Sequence, residues 1–134
     1  TEVAARLAAP ANTQAYGRLS VLTQWLCAVE LLFHVNPRAF TPPPQVQSSV
    51  VHLTPREAPL APARRQTLER VTQAAFGQRR KMLRQSLMSL VAGTRLRDGE
   101  ALARTAGVEP TARAETLGVE QFCALARALD EAKS

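Results

Sequence analysis

The fold of this chain is decided by residues 29–53, which read VELLFHVNPRAFTPPPQVQSSVVHL. Apolar residues alternate from Val29 to Val35, and this two-residue period is typical of a strand. The segment 46–53 is β-branched and apolar enough to form a second strand. Three consecutive prolines lie between the two, where they fix φ and remove N–H donors, so no helix can form there. The pattern predicts an antiparallel ribbon with a stiff proline loop.

Helices are predicted on both sides of this ribbon. A short helical run at residues 3–8 is stopped by Pro10, and a second helix is expected to start at Arg18. Its leucines fall on one face, with Val21 and Trp25 beside them. A proline-containing linker at residues 54–62 follows the ribbon, and apolar stripes with helical spacing follow the linker. The further helices pass through 68–76 and 83–91, then from an Asp98 cap to Gly107, and through 119–132.

Length and composition exclude several classes of protein. The chain has 134 residues and 46% of them are hydrophobic, which fits one compact domain and excludes a disordered chain. No apolar run reaches the 18 or more residues of a membrane span. Cys27 and Cys123 are isolated, so the sequence predicts buried thiols in a reducing compartment and no metal site. The opening Thr1 follows no initiator Met or signal pattern, so we expect a cytoplasmic protein whose sequence starts within a longer chain.

Positive charge is concentrated in the middle of the sequence. The formal charge is +6, and residues 57–97 hold nine basic and two acidic side chains. The segments before and after carry net charges of +2 and −3. Fifteen of the 17 basic residues are Arg, whose planar fork binds phosphate through paired hydrogen bonds. This clustering predicts a polyanionic partner such as a nucleic acid.

The strongest local signal is QRRKMLR at residues 78–84. If these residues form a helix, Arg80, Lys81 and Arg84 share one shoulder of it, and Arg79 lies on the other side. Three cations in a first helical turn would each destabilise the helix by about 0.3 kcal/mol or more, because a helix N-terminus is itself partly positive. Such a costly arrangement suggests a function, although an ordinary solvated face would also explain it.

Motifs of catalysis are absent from the sequence. It contains no Gly-rich phosphate loop, no nucleophile elbow and no zinc-protease pattern. Phe40, next to the prolines, could stack on a nucleobase or fill a core. Arg113 could bind RNA, or it could pair with Glu115 or a helix end.

Five segments together resemble one family. They are EVAARL (2–7), YGRLSV (16–21), FTPPPQVQSSVV (40–51), AFGQRRK (75–81) and RAE (113–115). Their order and approximate spacing are similar to those of the small-subunit ribosomal RNA adenine dimethyltransferases, from residue 2 to about residue 129. Two departures are Gly77, where Asn is frequent, and Gly118, where Ser or Thr often caps the last helix.

The resemblance implies both an activity and an architecture. Members of the family transfer four methyl groups from S-adenosylmethionine to the N6 atoms of two adjacent adenosines. Their target is a hairpin near the 3′ end of 16S rRNA in an immature small ribosomal subunit, and they usually act as monomers. A Rossmann-like α/β methyltransferase domain is followed by a small all-α domain. Residues 1–56 would be the C-terminal part of the first domain, and residues 57–134 the helical rRNA-binding domain.

The same resemblance implies roles for seven residues. Phe40 would stack against the flipped-out target adenine. Six cations would contact the RNA: Arg18, Arg79, Arg80, Lys81, Arg84 and Arg113. The family's Gly-rich cofactor loop, acidic ribose-binding residue and Asn-Leu-Pro-Tyr segment have no equivalent in this sequence. We therefore expect S-adenosylmethionine to be bound by residues outside this chain, and the chain alone to be inactive.

Two other functions are compatible with parts of the sequence. Related resistance methyltransferases that act on large-subunit rRNA share the Phe-x-Pro-x-Pro element, but they usually lack YGRLSV and Arg-Arg-Lys. A non-catalytic RNA- or ribosome-binding module would explain the positive charge without any methyl transfer.

Overall fold

The computed structural model describes residues 6–35 and 48–132, which form a helical body and a two-stranded ribbon. After a helical turn at residues 6–8 come helix α1 (Arg18–Leu26), strand β1 (Cys27–Val35) and strand β2 (Ser48–Pro55). Helices α2 (Arg65–Gly77), α3 (Leu83–Ser86), α4 (Gly99–Thr105) and α5 (Val119–Ala132) follow, with 3₁₀ turns at Met88–Leu90 and Ala114–Thr116. Along the described chain, no helix is both long and apolar enough to span a bilayer.

The predicted antiparallel ribbon is confirmed. The two strands pair from Cys27 with Pro55 to Val35 with Ser48, and the register shifts between Leu31 and Phe33. Such a shift is typical of a bulge, which bends a strand and increases its twist. The proline loop between the strands, including Phe40, lies outside the described residues.

Helix α1 forms as predicted, with one side of it buried. Val21 and Trp25 are buried, whereas Leu19 and Leu26 are 46% and 41% exposed. The buried face of α1 is therefore the Val21 and Trp25 side, beside the leucine stripe. Hydrogen bonding favours the Val21 and Trp25 side, because the indole Nε1 of Trp25 donates to the Ala61 carbonyl at 2.8 Å. A buried Trp needs such a partner, and the linker supplies it.

One apolar core joins the segments before and after the ribbon. Tyr16, Val21 and Trp25 belong to the same buried cluster as Leu68 of α2 and Phe122 of α5. Helical spacing places four apolar residues on one face of α5, and all of them are buried: Phe122, Leu125, Ala126 and Leu129. The buried hydroxyl of Thr67 donates to Asp130 at 2.8 Å and adds a polar contact between α2 and α5. The boundary proposed between residues 56 and 57 stays a prediction.

Most of the QRRKMLR segment lies outside the helices, so the helical placement considered for it applies only from Leu83 onward. Helix α2 ends at Gly77, residues 78–81 form turns and a bend, and α3 begins only at Leu83. The first N–H groups of α3 are satisfied by another segment, since Leu83 N donates to the Ala112 carbonyl at 2.8 Å and Arg84 N to the Pro110 carbonyl at 3.0 Å. These bonds set the start of α3, so Arg79, Arg80 and Lys81 avoid the cost of a helix N-terminus.

The predicted second stripe is also shorter as a helix than expected. Helix α3 has only four residues, and the chain continues as the 3₁₀ turn to Leu90. The apolar residues of the stripe, Leu83, Leu87, Leu90 and Val91, are nevertheless buried. Asp98 caps α4 as predicted, because its Oδ1 accepts from Ala101 N at 2.8 Å.

Helix α4 starts against the backbone of α3, and the contact requires glycine. A Cβ atom on Gly99 would lie 2.5 Å from the Arg84 carbonyl oxygen and 3.1 Å from its carbon. These atoms belong to backbone that is already hydrogen-bonded to the 110–112 segment. The 83–84 backbone therefore has little freedom to move aside.

We predict that Gly99→Ala lowers the free energy of unfolding by about 1–3 kcal/mol, the usual cost of overpacking. Gly77→Ala is the matched control, because a Cβ there meets no described atom within 4 Å and alanine is the better helix former. Urea denaturation measures both variants. Equal stabilities for the two would contradict the close approach.

Candidate nucleic-acid interface

The cations predicted from the sequence project from a turn rather than a helix. We call residues 78–82, between α2 and α3, the cationic turn. Arg80 and Lys81 are exposed, and Arg84 is exposed one residue inside α3. The turn is closed by a hydrogen bond from Lys81 N to the Gln78 carbonyl at 2.9 Å. It thus presents flexible cationic side chains on a fixed backbone.

Arg113 joins this turn although it is distant in sequence. The bonds from Leu83 and Arg84 to Ala112 and Pro110 place the backbone before Arg113 against the start of α3. Arg113 is exposed, and Glu115, one of its suggested partners, pairs instead with Arg79 at 3.6 Å. The structure therefore brings Arg113 close to the cationic turn with its charge accessible.

Arg79 differs from its neighbours because its guanidinium has partners within the chain. Its Nη2 donates to the Thr13 carbonyl at 3.0 Å, and it forms the ion pair with Glu115. The guanidinium also lies over the ring of Phe76, 5.8 Å from the centroid. Only 33% of the side chain is exposed. Arg79 is thus tied to the fold, whereas the side chains of Arg80 and Lys81 form no hydrogen bond or ion pair with residues 6–35 or 48–132.

A concave surface extends from Arg79 to the start of α1. A cavity of about 300 Å³ is lined by Arg6, Arg18, Arg79, Tyr16 and neighbouring residues of the 14–20 segment. Arg18 is exposed at the first position of α1, as predicted. A second cavity, of about 380 Å³, is lined by residues 76–81. Both cavities include Arg79, so they adjoin, and we call the cations around them the cationic surface: Arg6, Arg18, Arg79, Arg80 and Lys81.

The segment before α1 is held in place by side chains of that helix. Ser20 Oγ donates to the Arg6 carbonyl, and Gln24 Nε2 donates to the carbonyls of Leu7 and Ala9 at 3.1 and 2.7 Å. Gly17 N donates in turn to Ser20 Oγ at 3.0 Å. These bonds fix the backbone of Arg6 beside Arg18.

Tyr16 anchors the segment from the other side. Its ring is 1% exposed and packs edge-on against Phe76, with centroids 5.8 Å apart. Its hydroxyl donates to the Leu117 carbonyl at 2.6 Å. Burial raises the pKa of Tyr16 to about 12. A neutral, hydrogen-bonded phenol therefore locks the segment before α1 onto the helical body.

Sequence reasoning missed Arg6 and the anchoring role of Tyr16. Arg6 appeared only as one residue of a short helical run, and the cavity that it shares with Arg18 depends on tertiary contacts. The available signal was the lone Tyr in a chain with 4% aromatic residues, directly before a predicted helix. Phe40, the predicted stacking residue, lies outside the described residues.

Comparison with known proteins identifies the family. A family model described as "Ribosomal RNA adenine dimethylase" matches residues 1–131. The chain belongs to the ribosomal RNA adenine dimethylase family. It is 65% identical over 133 residues to Ribosomal RNA small subunit methyltransferase A of Rhodospirillum rubrum, covering 99% of this chain and 44% of that protein. The protein of the same name from a Bradyrhizobium species is 54% identical over 133 residues, with the same coverage.

Solved structures of similar proteins support the fold of this family member. A dimethyladenosine transferase from Plasmodium falciparum superposes with a TM-score of 0.78 at 18% identity, over 98% of this chain and 55% of the other. The 23S rRNA methyltransferase ErmE superposes with a TM-score of 0.62 at 28% identity, over 96% of this chain and 51% of the other. The first likeness shows the fold alone. The chain spans about 44% of the length of the curated relatives named above.

The two cavities of the cationic surface do not suit the cofactor that the family resemblance implies. S-adenosylmethionine carries a sulfonium and an ammonium beside its one carboxylate, and ribose hydroxyls are commonly held by a protein carboxylate, as in dinucleotide sites. The two cavities of the cationic surface are lined by arginines and hold no carboxylate. Another, between α1 and α5, has Glu120 as its one charged lining residue. Among the described residues, no group of three His, Cys, Asp or Glu side chains could hold a metal ion.

Replacing Tyr16 tests the anchor. We predict that Tyr16→Phe lowers the free energy of unfolding by about 0.5–1.5 kcal/mol near neutral pH, because the Leu117 carbonyl loses its donor. Thermal denaturation followed by circular dichroism measures this loss. A variant as stable as the parent protein would contradict the anchor.

The pH dependence of stability provides a second test of the same residue. The unfolded phenol loses its proton near pH 10 and the folded one near pH 12, so the folded state holds more protons between these values. The Tyr16 contribution is present below pH 10 and is lost as the pH rises to 12. Tyr16→Phe should show a shallower fall of stability over this window. Cys123, whose pKa burial raises to about 11, is common to both proteins and cancels in the comparison.

Proposed function

We propose that this chain is the RNA-positioning part of a small-subunit ribosomal RNA adenine dimethyltransferase. The intact enzyme would transfer methyl groups from S-adenosylmethionine to the N6 atoms of two adjacent adenosines in a hairpin near the 3′ end of 16S rRNA. Its substrate would be the immature small ribosomal subunit, met in the cytoplasm by a monomeric enzyme. Residues 1–56 would complete a Rossmann-like methyltransferase domain, and residues 57–134 would form the helical RNA-binding domain.

The observation that carries this proposal is the convergence of cations from distant segments. Arg18 precedes the ribbon, Arg80 and Lys81 follow α2, and Arg113 follows α4, yet packing brings their segments together. Such a surface fits the phosphates of a folded RNA, which are contacted from several directions at once. Arg84 extends the surface into α3.

Methyl transfer itself is assigned to another part of the enzyme. The cofactor supplies the methyl group when bound, and the two arginine-lined cavities of the cationic surface do not suit it. The residues of this chain would bind the RNA backbone and orient the target hairpin. Contacts to phosphate fix position and orientation without reading the base sequence.

Phe40 is proposed to hold the target base. An enzyme that methylates a base nitrogen must take that base out of its stack, and an aromatic ring can replace the lost stacking. The prolines that follow Phe40 would stiffen its loop and reduce the entropy lost on binding.

A large-subunit RNA substrate is the second candidate, because ErmE shares the fold at 28% identity. The small-subunit substrate is favoured by the relatives at 54–65% identity, which carry the small-subunit name. A binding module without catalysis is disfavoured by the same relatives, which are named as methyltransferases.

Salt dependence of RNA binding tests the cationic turn. In the complete protein, replacing both Arg80 and Lys81 with Ala should reduce the slope of log affinity against log salt by about 1.4–1.8, since each lost phosphate contact contributes about 0.7–0.9. The probe is a hairpin with the sequence of the 3′ end of 16S rRNA.

The matched control replaces Arg64 and Arg65 with Ala, which removes the same charge. Both lie at the start of α2, about 20 Å along the helix from the cationic turn. We expect their slope to stay close to that of the parent protein. Equal slopes for the two double variants would show that Arg80 and Lys81 contribute only general surface charge and no specific phosphate contacts.

Phe40→Ala tests the stacking role in the complete enzyme. Stacking on an aromatic side chain contributes about 1–3 kcal/mol per base, so the methylation rate should fall by a factor of about 5 to 150. Phe40→Tyr keeps a ring and should retain most of the rate. Methylation by Phe40→Ala at the parental rate would exclude the role.

A further inference from the structure

We propose that Arg79 is a positioning residue for Arg18 and does not itself contact RNA phosphate. This inference rests on the proposed function and divides the Arg79-Arg80-Lys81 motif into one structural and two RNA-binding residues. The proposal rests on the contacts of Arg79 with the loop that leads to α1. That loop, residues 10–17, ends at the residue before Arg18.

Arg79 connects three separate parts of the chain. It lies just beyond α2, its Nη2 reaches the Thr13 carbonyl at 3.0 Å, and its ion pair reaches Glu115 at 3.6 Å. Its guanidinium carbon also lies 5.8 Å from the centroid of the Phe76 ring, within cation–π range. An arginine held by a carbonyl, a carboxylate and a ring has little freedom left to follow a phosphate.

The loop contains turns but no helix or strand, so contacts of this kind help to hold it on the helical body. Asn12 has a φ of 70°, a conformation that residues other than Gly seldom adopt. Its N–H donates to the Glu115 carbonyl at 2.7 Å. The backbone of Glu115 therefore holds the loop directly, and its side chain holds Arg79. The Thr13 carbonyl also accepts from Tyr16 N at 3.2 Å. Arg79 therefore closes a junction between the loop and the Glu115 turn.

Loosening this junction would displace Arg18. Gly17 is the N-cap of α1 and Arg18 its first residue, so the direction of the helix start follows from the path of the loop. Arg18 and Arg79 line the same cavity, so a phosphate held by Arg18 would lie near the junction that Arg79 closes. A phosphate bound at Arg18 would thus depend on Arg79 without touching it.

Lysine substitution separates positioning from phosphate contact. Arg79→Lys keeps the charge but loses the planar fork that reaches both the Thr13 carbonyl and Glu115. In the complete protein, with the 16S hairpin as probe, we expect Arg79→Lys to weaken binding about three- to tenfold. The matched control Arg80→Lys, on the same turn, should weaken it less than Arg79→Lys does, because a lysine still attracts phosphate as a point charge. Circular dichroism at the assay temperature checks that each variant is folded.

A double-mutant cycle tests whether Arg79 acts through Arg18. In an Arg18→Ala background, the loss caused by Arg79→Lys should shrink to less than about twofold, because the residue to be positioned is gone. If Arg79 had a merely structural role, Arg79→Lys would cause the same loss of affinity with Arg18 present as with Arg18→Ala.

Two results would overturn the inference: parental affinity in Arg79→Lys, or losses from Arg18→Ala and Arg79→Lys that multiply. The proposed function fails separately, if the Arg80 and Lys81 double variant keeps the parental salt slope. The two proposals are therefore distinguishable.

Discussion

The arrangement of this molecule depends on one buried contact, the docking of Tyr16 onto the helical body. Its ring packs edge-on against the ring of Phe76, whose centroid lies 5.4 Å from that of Phe122. Its hydroxyl donates a hydrogen bond to the Leu117 carbonyl. An aromatic ring of this size buries much apolar surface, and a satisfied hydroxyl removes the cost of burying its polar end. The segment before the ribbon is thereby fixed to helices that come long after it in the sequence.

This docking explains why the cations form one surface. Arg18 and Arg80 are separated by the whole ribbon and by α2, and their sequence positions alone do not bring them together. The core that includes Tyr16, Trp25 and Phe122 sets the distance between their segments. The bonds from α3 to the 110–112 backbone add Arg113 in the same way. The proposed RNA binding through such a surface would require an intact core, so stability and affinity would be coupled at this site.

The sequence predicted elements better than it predicted contacts. The ribbon, α5 and the Asp98 cap follow from local patterns, and each is confirmed because a strand period, an apolar stripe and a capping carboxylate are local properties. The sequence of α1 does not decide which face is buried, because the leucine face and the Val21 and Trp25 side are both apolar. The hydrogen bond from Trp25 to the linker decides between them. The cationic turn lies between the helices predicted through residues 68–76 and 83–91, and its sequence alone does not decide whether it is helical. Its true end is set by Ala112 and Pro110, which are about 30 residues away in sequence. The place of Arg6 on the cationic surface was not predicted, because it too depends on tertiary contacts. The family resemblance needed no such contacts, since it rests on five sequence motifs in the same order.

Hydrogen–deuterium exchange of the complete protein, with and without the 16S hairpin, tests the central claim most directly. If one RNA spans the cationic surface, backbone amides at residues 11–20 and 78–84 should gain protection together on RNA binding, and those at residues 64–66 should not. Protection confined to one of the two segments, or strongest at the start of α2, would contradict a shared interface.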